Sequence, residues 1–187
     1  MKSSPPQSII YVARDLERAL GYAPTTEGYT IISNSTPFAK EIAGTSPSVH
    51  LIESPTVLDT ADLLEHPKVH ACIEQYRHGT IPHILVFKNT ERIERICTEK
   101  GWHLLNPSAT LANTIEEKIS QITWLGELSN LLPPHTVQPC KDITWDGSPF
   151  ILQFNRAHTG TGTLLISSQQ DLERIQVSFP DRPARKT

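Results

Sequence analysis

Residues 8–13 form a short run with almost no polar position after Ser8, the pattern of a strand covered on both faces. Asp15 follows as a helix cap, Leu16, Ala19 and Leu20 share one helical face, and Gly21 ends the turn. Residues 29–33 read as a second strand, and Thr36-Pro37 opens a short helix with Pro at its first position. A third strand covers 49–53. Asp59 or Thr60 then starts a helical stretch through Leu63, Leu64 and Val69 to Ile73, with a break near Pro67. Residues 84–87 are the most apolar strand. Asn89 or Thr90 caps 91–97, where Ile93, Ile96 and Cys97 recur three and four apart, and Lys100-Gly101 closes that helix. Residues 103–106 give a short fifth strand. Five strands joined by helical crossovers predict an α/β unit with a doubly wound parallel sheet over 7–107.

Beyond it, Ile115, Ile119, Ile122, Trp124 and Leu125 mark one long amphipathic helix from Thr110 to about Asn130, stopped by Leu131-Leu132-Pro133-Pro134. Residues 149–154 and 162–166 then read as strands joined by a Gly/Thr loop, an antiparallel hairpin rather than a crossover. Residues 167–171 cap a short helix through Leu172 and Ile175, and 181–187 read as a linker. The expected division is therefore an α/β domain over 1–107, a linker helix over 108–132, and a small α+β hairpin lobe over 133–187.

The 187 residues, 37% hydrophobic and 20% charged, suit a soluble globular chain rather than a charged disordered one. Seventeen Lys and Arg against 20 Asp and Glu give a net charge of -3, so no basic excess exists to neutralise nucleic-acid phosphates. Three scattered cysteines, Cys72, Cys97 and Cys140, do not make a disulfide framework. No apolar signal core follows Met1, and no run is long enough to span a membrane, so a cytoplasmic location without membrane partners is expected.

The turn after the first strand, Ala13-Arg14-Asp15, has no glycine and carries a carboxylate where a dinucleotide's pyrophosphate would sit. No phosphate-binding P-loop and no nucleophile elbow are present. His66, His70 and Cys72 lie close in sequence, but nothing completes a tetrahedral zinc set, and Pro67 separates the two histidines. No metal site is expected there. Asp59 and Asp62 read as helix caps rather than a catalytic carboxylate pair.

The segment 155–163 carries the chemistry that suits an anion. Gly160 and Gly162 permit close backbone approach, Thr159, Thr161, Thr163 and His158 add donors, and Arg156 adds charge. An ordinary polar hairpin loop has the same composition.

The order of segments separates these readings. A parallel α/β domain, a helix bearing Glu117-Lys118, the stretch 131–137, the strand 149–153 and the loop through Thr163 together resemble the ATP-grasp superfamily. Biotin carboxylase and the carboxylate–amine ligases share that arrangement. The resemblance covers nearly the whole chain, and only its final third has motif-like specificity. It implies a Rossmann-like pre-ATP-grasp domain followed by the start of a nucleotide clamp. Lys118 then matches the lysine that reaches the ATP phosphates. Gln153 takes the strand position where a second phosphate-binding lysine is usual, so a neutral donor replaces a charge. His158, Thr159, Gly160, Thr161, Gly162 and Thr163 match the flap that folds over the phosphates, stiffened by its threonines, with Arg156 beside it.

The resemblance further implies ATP as cofactor, a small-molecule carboxylate as substrate, and activation of that carboxylate as an acyl phosphate for transfer to an amine or similar nucleophile. The adenine-binding hinge strand and the Mg²⁺-binding lobe of the family are not matched. The expectation is thus an incomplete ligase, inactive alone, with Mg²⁺ held by a missing lobe or a partner chain. A non-catalytic small-molecule or partner-binding α/β module is the alternative.

Overall fold

The computed structural model describes residues 8–76, 80–156 and 162–187, and the chain divides into two compact units, 1–110 and 111–187. In the first, β1 (Ile9–Ala13), β2 (Tyr29–Asn34), β3 (Val49–Ile52), β4 (His83–Val86) and β5 (His103–Leu104) form one parallel sheet in the order β3-β2-β1-β4-β5. The doubly wound α/β reading is correct. Its cause is visible in β1: Ile10 and Val12 point to one face, Tyr11 and Ala13 to the other, and all four are buried. On the first face lie α2 (Thr60–Glu65), α3 (Pro67–Gln75) and α4 (Glu91–Lys100), contributing Leu63, Leu64, Val69, Ile73, Ile93 and Ile96. On the other, α1 (Pro37–Ala43) contributes Ala39, beside Leu16 and Ala19.

The helix ends obey local chemistry. Oγ1 of Thr36 accepts from Ala39 N at 3.0 Å, Asp59 Oδ1 from Asp62 N at 2.8 Å, and Thr90 Oγ1 from Ile93 N at 3.3 Å. Gly101 ends α4 at φ 66°, where only glycine avoids strain. The break at Pro67 is real: His66 closes α2, and its Nδ1 accepts from Lys68 N at 3.2 Å to cap α3. The expected helix after Asp15 is instead a 3-10 turn over Leu16–Ala19. Asp15 does not cap it, because its carboxylate faces Arg18 at 3.4 Å and Arg14 at 3.7 Å. The carboxamide of Asn106 extends the sheet past β5: its Oδ1 accepts from Val86 N and its Nδ2 donates to Val86 O, standing in for a peptide group.

The second unit corrects two expectations. The single helix predicted over 110–130 is broken into α5 (Ala109–Glu116), α6 (Ser120–Trp124) and a 3-10 stretch, Gly126–Leu131. Asn155 makes the first break: its backbone O accepts from Lys118 N at 3.2 Å, and its Oδ1 accepts from Ile119 N at 2.9 Å. Ser120 Oγ donates to Thr114 O at 2.7 Å, completing the turn. Gly126, at φ 55°, makes the second break.

The other correction concerns 181–187, expected as a linker. Those residues form β9 (Pro183–Lys186), an inner strand of an antiparallel sheet ordered β6-β9-β7-β8, with β6 (Thr136–Pro139), β7 (Phe150–Phe154) and β8 (Thr163–Ile166). The strand is held by a completely buried Ala184 and by Arg182, whose guanidinium lies 4.0 Å from the centre of the Phe154 ring. One face of this sheet packs Cys140, Ile143, Phe150, Leu152, Phe154, Ile166 and Ala184 against Leu172 of α7 (Gln169–Ser178). Among the described residues, no helix is long and apolar enough to cross a membrane.

Candidate functional site

Antiparallel register puts directly paired residues on the same side of a sheet. Val137 pairs with Arg185, Arg185 with Gln153, and Gln153 with Thr163, so one row crosses β6, β9, β7 and β8. Their neighbours Leu152, Phe154 and Ala184 fill the core, so this row lies on the face away from it. An Arg185 Nη2 donates to Gln153 Oε1, and Gln153 Nε2 donates to Thr163 Oγ1 at 3.3 Å. Gln153 and Arg185 are half-buried, and Thr163 is exposed.

Of the residues singled out in the sequence, Gln153 and Thr163 therefore meet. Gly162 is buried beside them, and its carbonyl accepts from Phe154 N at 2.9 Å. Lys118 sits half-buried in the turn between α5 and α6, fastened through its backbone to Asn155 beyond the end of β7. Arg156 has its charge engaged: Nε and Nη2 both reach Glu117 Oε1, at 2.6 and 2.5 Å. His158, Thr159, Gly160 and Thr161 lie outside the described residues.

The Arg156 guanidinium, with Asn155 behind it, holds the Glu117 carboxyl below its ordinary range. A depressed folded-state value gives a contribution that is complete above the unfolded glutamate pKa and lost as pH falls through the folded value. Glu117→Gln should therefore melt below the wild type at about pH 6, and the gap should close on acidification through about pH 4. Thermal unfolding at a series of pH values measures this, and a gap constant across that window would refute the coupling.

Two residues of the site were not among those singled out. Arg185 sat in the segment read as a linker; the alternation of Ala184 inward and Arg185 outward was its one signal. Glu117 was noted only as the neighbour of Lys118.

The His66, His70 and Cys72 side chains have other roles and surroundings. His66 caps α3, His70 Nε2 contacts Leu64 O at 2.6 Å, and burial pushes the Cys72 thiol up to about 11. Among the described residues no group of three His, Cys, Asp or Glu is placed to hold a metal ion. Asp59 and Asp62 behave as a cap and as partners of Arg92, which lies 3.9 Å from Asp59, 2.6 Å from Asp62 and 2.6 Å from Glu65. Hydrogen bonds to Glu65 and then Asp62 raise the Arg92 pKa further. A concavity of about 250 Å³ opens in the loops after β3 and β4, lined by Asp59, Thr60, Lys88, Thr90 and Arg92.

No family model and no curated protein matches the chain in sequence. Its fold is similar to that of solved structures. One is the biotin carboxylase domain of Hydrogenobacter thermophilus 2-oxoglutarate carboxylase, in complex with MgADP, ADP and bicarbonate (TM-score 0.58, 14% identity, 96% of this chain, 43% of that chain). Another is Rhizobium etli pyruvate carboxylase with acetyl coenzyme A (TM-score 0.58, 12% identity, 98% of this chain, 18% of that one). A third is N5-carboxyaminoimidazole synthetase from Staphylococcus aureus with ADP (TM-score 0.53, 12% identity, 96% and 45%). The chain thus has an ATP-grasp-like fold. It spans less than half the length of these three proteins, and at such identities the likeness is one of fold.

Proposed function

We propose that this chain is the nucleotide-binding part of an ATP-grasp type ligase, contributing to activation of a small-molecule carboxylate as an acyl phosphate. The observation that carries this reading is a single fold match over 96% of the chain, covering both units, to an enzyme crystallised with MgADP and bicarbonate. Nearby donors favour the same conclusion. A Lys, a Gln and two Thr or Gly backbone positions lie at or beside the β7–β8 hairpin, and polyphosphates are recognised by such convergent N–H and O–H groups.

ATP, when bound, supplies the phosphoryl group that makes the carboxylate reactive. The donor set of Lys118, Gln153 and Thr163 fits its phosphates. His158, Thr159, Gly160 and Thr161, which lie outside the described residues, belong to this reading through their sequence match to the family's phosphate-covering flap alone, and Gly162 adjoins the set through its bond with Phe154. Arg156 would act through Glu117, fixing the turn that presents Lys118. Mg²⁺ finds no ligand set among the described residues. In this reading its ligands, like the carboxylate and the acceptor nucleophile, come from a further lobe or a partner chain.

The test is a titration of the 187-residue chain with ADP, followed by amide NMR. Shifts should centre on 152–155, 162–165 and 117–119. The cavity after β3 and β4 favours a second reading, a small-molecule module, because open α/β sheets bind ligands beyond the carboxyl ends of their strands. Shifts confined to 59–62 and 88–92 would select it. No shift at millimolar ADP would overturn the nucleotide reading.

A further inference from the structure

The row across the antiparallel sheet has a direction. Arg185 donates to the Gln153 carbonyl oxygen, and that orients the Gln153 amide so that its nitrogen faces Thr163. Thr163 Oγ1, having accepted, keeps its own O–H to give. Each acceptor of the row, Gln153 Oε1 and Thr163 Oγ1, already takes one bond from within it, and the row still holds the Arg185 Nε–H, the second Gln153 amide hydrogen and the Thr163 hydroxyl as donors.

One of these is conspicuous. Arg185 Nε is buried and has no hydrogen-bond partner, although it belongs to a charged group. Buried charged donors are costly to leave unbonded, and native structures rarely do so without a reason. Among the described residues no carboxylate lies within ion-pair distance of Arg185, whereas Arg156 has Glu117 and Lys186 has Asp146 at 3.3 Å. A cation without an anion therefore stands in line with donors on its neighbouring strand.

We infer that Arg185, with Gln153 and Thr163, forms an oxyanion site for a phosphoryl group on the coreless face of the β6-β9-β7-β8 sheet. The inference rests on the nucleotide reading above for its ligand class. The guanidinium on β9 supplies the charge that Gln153 on β7 lacks, and the Gln–Thr bond positions the amide beside it. A planar guanidinium can offer paired N–H groups to one tetrahedral anion, which a lysine cannot do in the same geometry.

The probes are inorganic tripolyphosphate and ADP, added to the whole chain while the arginine Nε–H NMR signals are observed. The Arg185 signal is assigned by its loss in Arg185→Lys. Tripolyphosphate should move that signal. Its affinity should fall by about tenfold or more in Arg185→Gln, and by less in Arg185→Lys, which keeps the charge. The Lys variant and the direct signal keep the test decisive should Arg185→Gln fail to fold. Absence of tripolyphosphate binding at millimolar concentration, or binding that leaves the Arg185 signal still, overturns the inference. Binding of ADP with the Arg185 signal unmoved overturns it too, while sparing the nucleotide reading. Tripolyphosphate binding through Arg185 with no ADP binding at millimolar concentration supports the oxyanion site and defeats the nucleotide reading.

Discussion

Deleting residues 182–187 is expected to unfold the unit 111–187 and leave the parallel-sheet unit standing. β9 supplies both ladders that join β6 to β7, from Thr136↔Lys186 to Phe154↔Ala184. Its removal strips Ala184 from the core, takes Arg182 off Phe154, and releases the bond from Lys186 Nζ to Thr144 O. What remains is β6 with no partner strand and the β7–β8 hairpin, and a two-stranded hairpin is marginal in water. A unit this small has a stability of only about 5–10 kcal/mol to lose. Hydrogen exchange reads the outcome: amides of Phe150–Phe154 and Thr163–Ile166 should lose protection, while those of Ile9–Ala13 and Tyr29–Asn34 keep it. Retained protection in β7 and β8 would show that β9 is dispensable, as a linker would be.

Replacing Asn34 should cost the first unit nearly as much. This side chain, 3% exposed at the end of β2, ties three segments together. Its Nδ2 donates to Arg14 O at 2.8 Å and to Leu58 O at 2.9 Å, and its Oδ1 accepts from Leu58 N at 2.9 Å. Asn34→Ala leaves those backbone groups without their partner, at a cost of about 3–5 kcal/mol for several buried groups together. Asn34→Asp should be no better, because it loses the donor and buries a charge. The shift in urea midpoint at unchanged slope measures both, and a change below about 1 kcal/mol would mean water replaces the amide.

The sequence was most readable where burial alone decides structure. β1 is an unbroken apolar run because both its faces are covered, β2 and β4 carry apolar pairs at their centres, and Thr36, Asp59 and Thr90 announced their helices through side chains that cap them. It was least readable where the deciding partner lies far along the chain. Nothing within 110–130 shows that Asn155 will claim the backbone of Lys118 and Ile119. Pro183–Lys186 has one completely buried side chain, Ala184, so its alternation is too faint to mark a strand. The candidate site divides the same way. Gln153 and Thr163 could be found on their hairpin, whereas Arg185 joins them only through the register of β9.

The position of β9 also sets an order in time. In the first unit β1, β2 and β3 are neighbours in sequence and in space, so each can add to the last as the ribosome releases it. The second sheet grows that way only at its β7–β8 hairpin, since the inner strand β9 that joins β6 to β7 is translated after all three. During that interval β6 and one edge of β7 offer unpaired backbone to whatever is near. A released chain that has not yet placed residues 183–186 is therefore the species most exposed to aggregation and to chaperone capture, even where the folded protein is not.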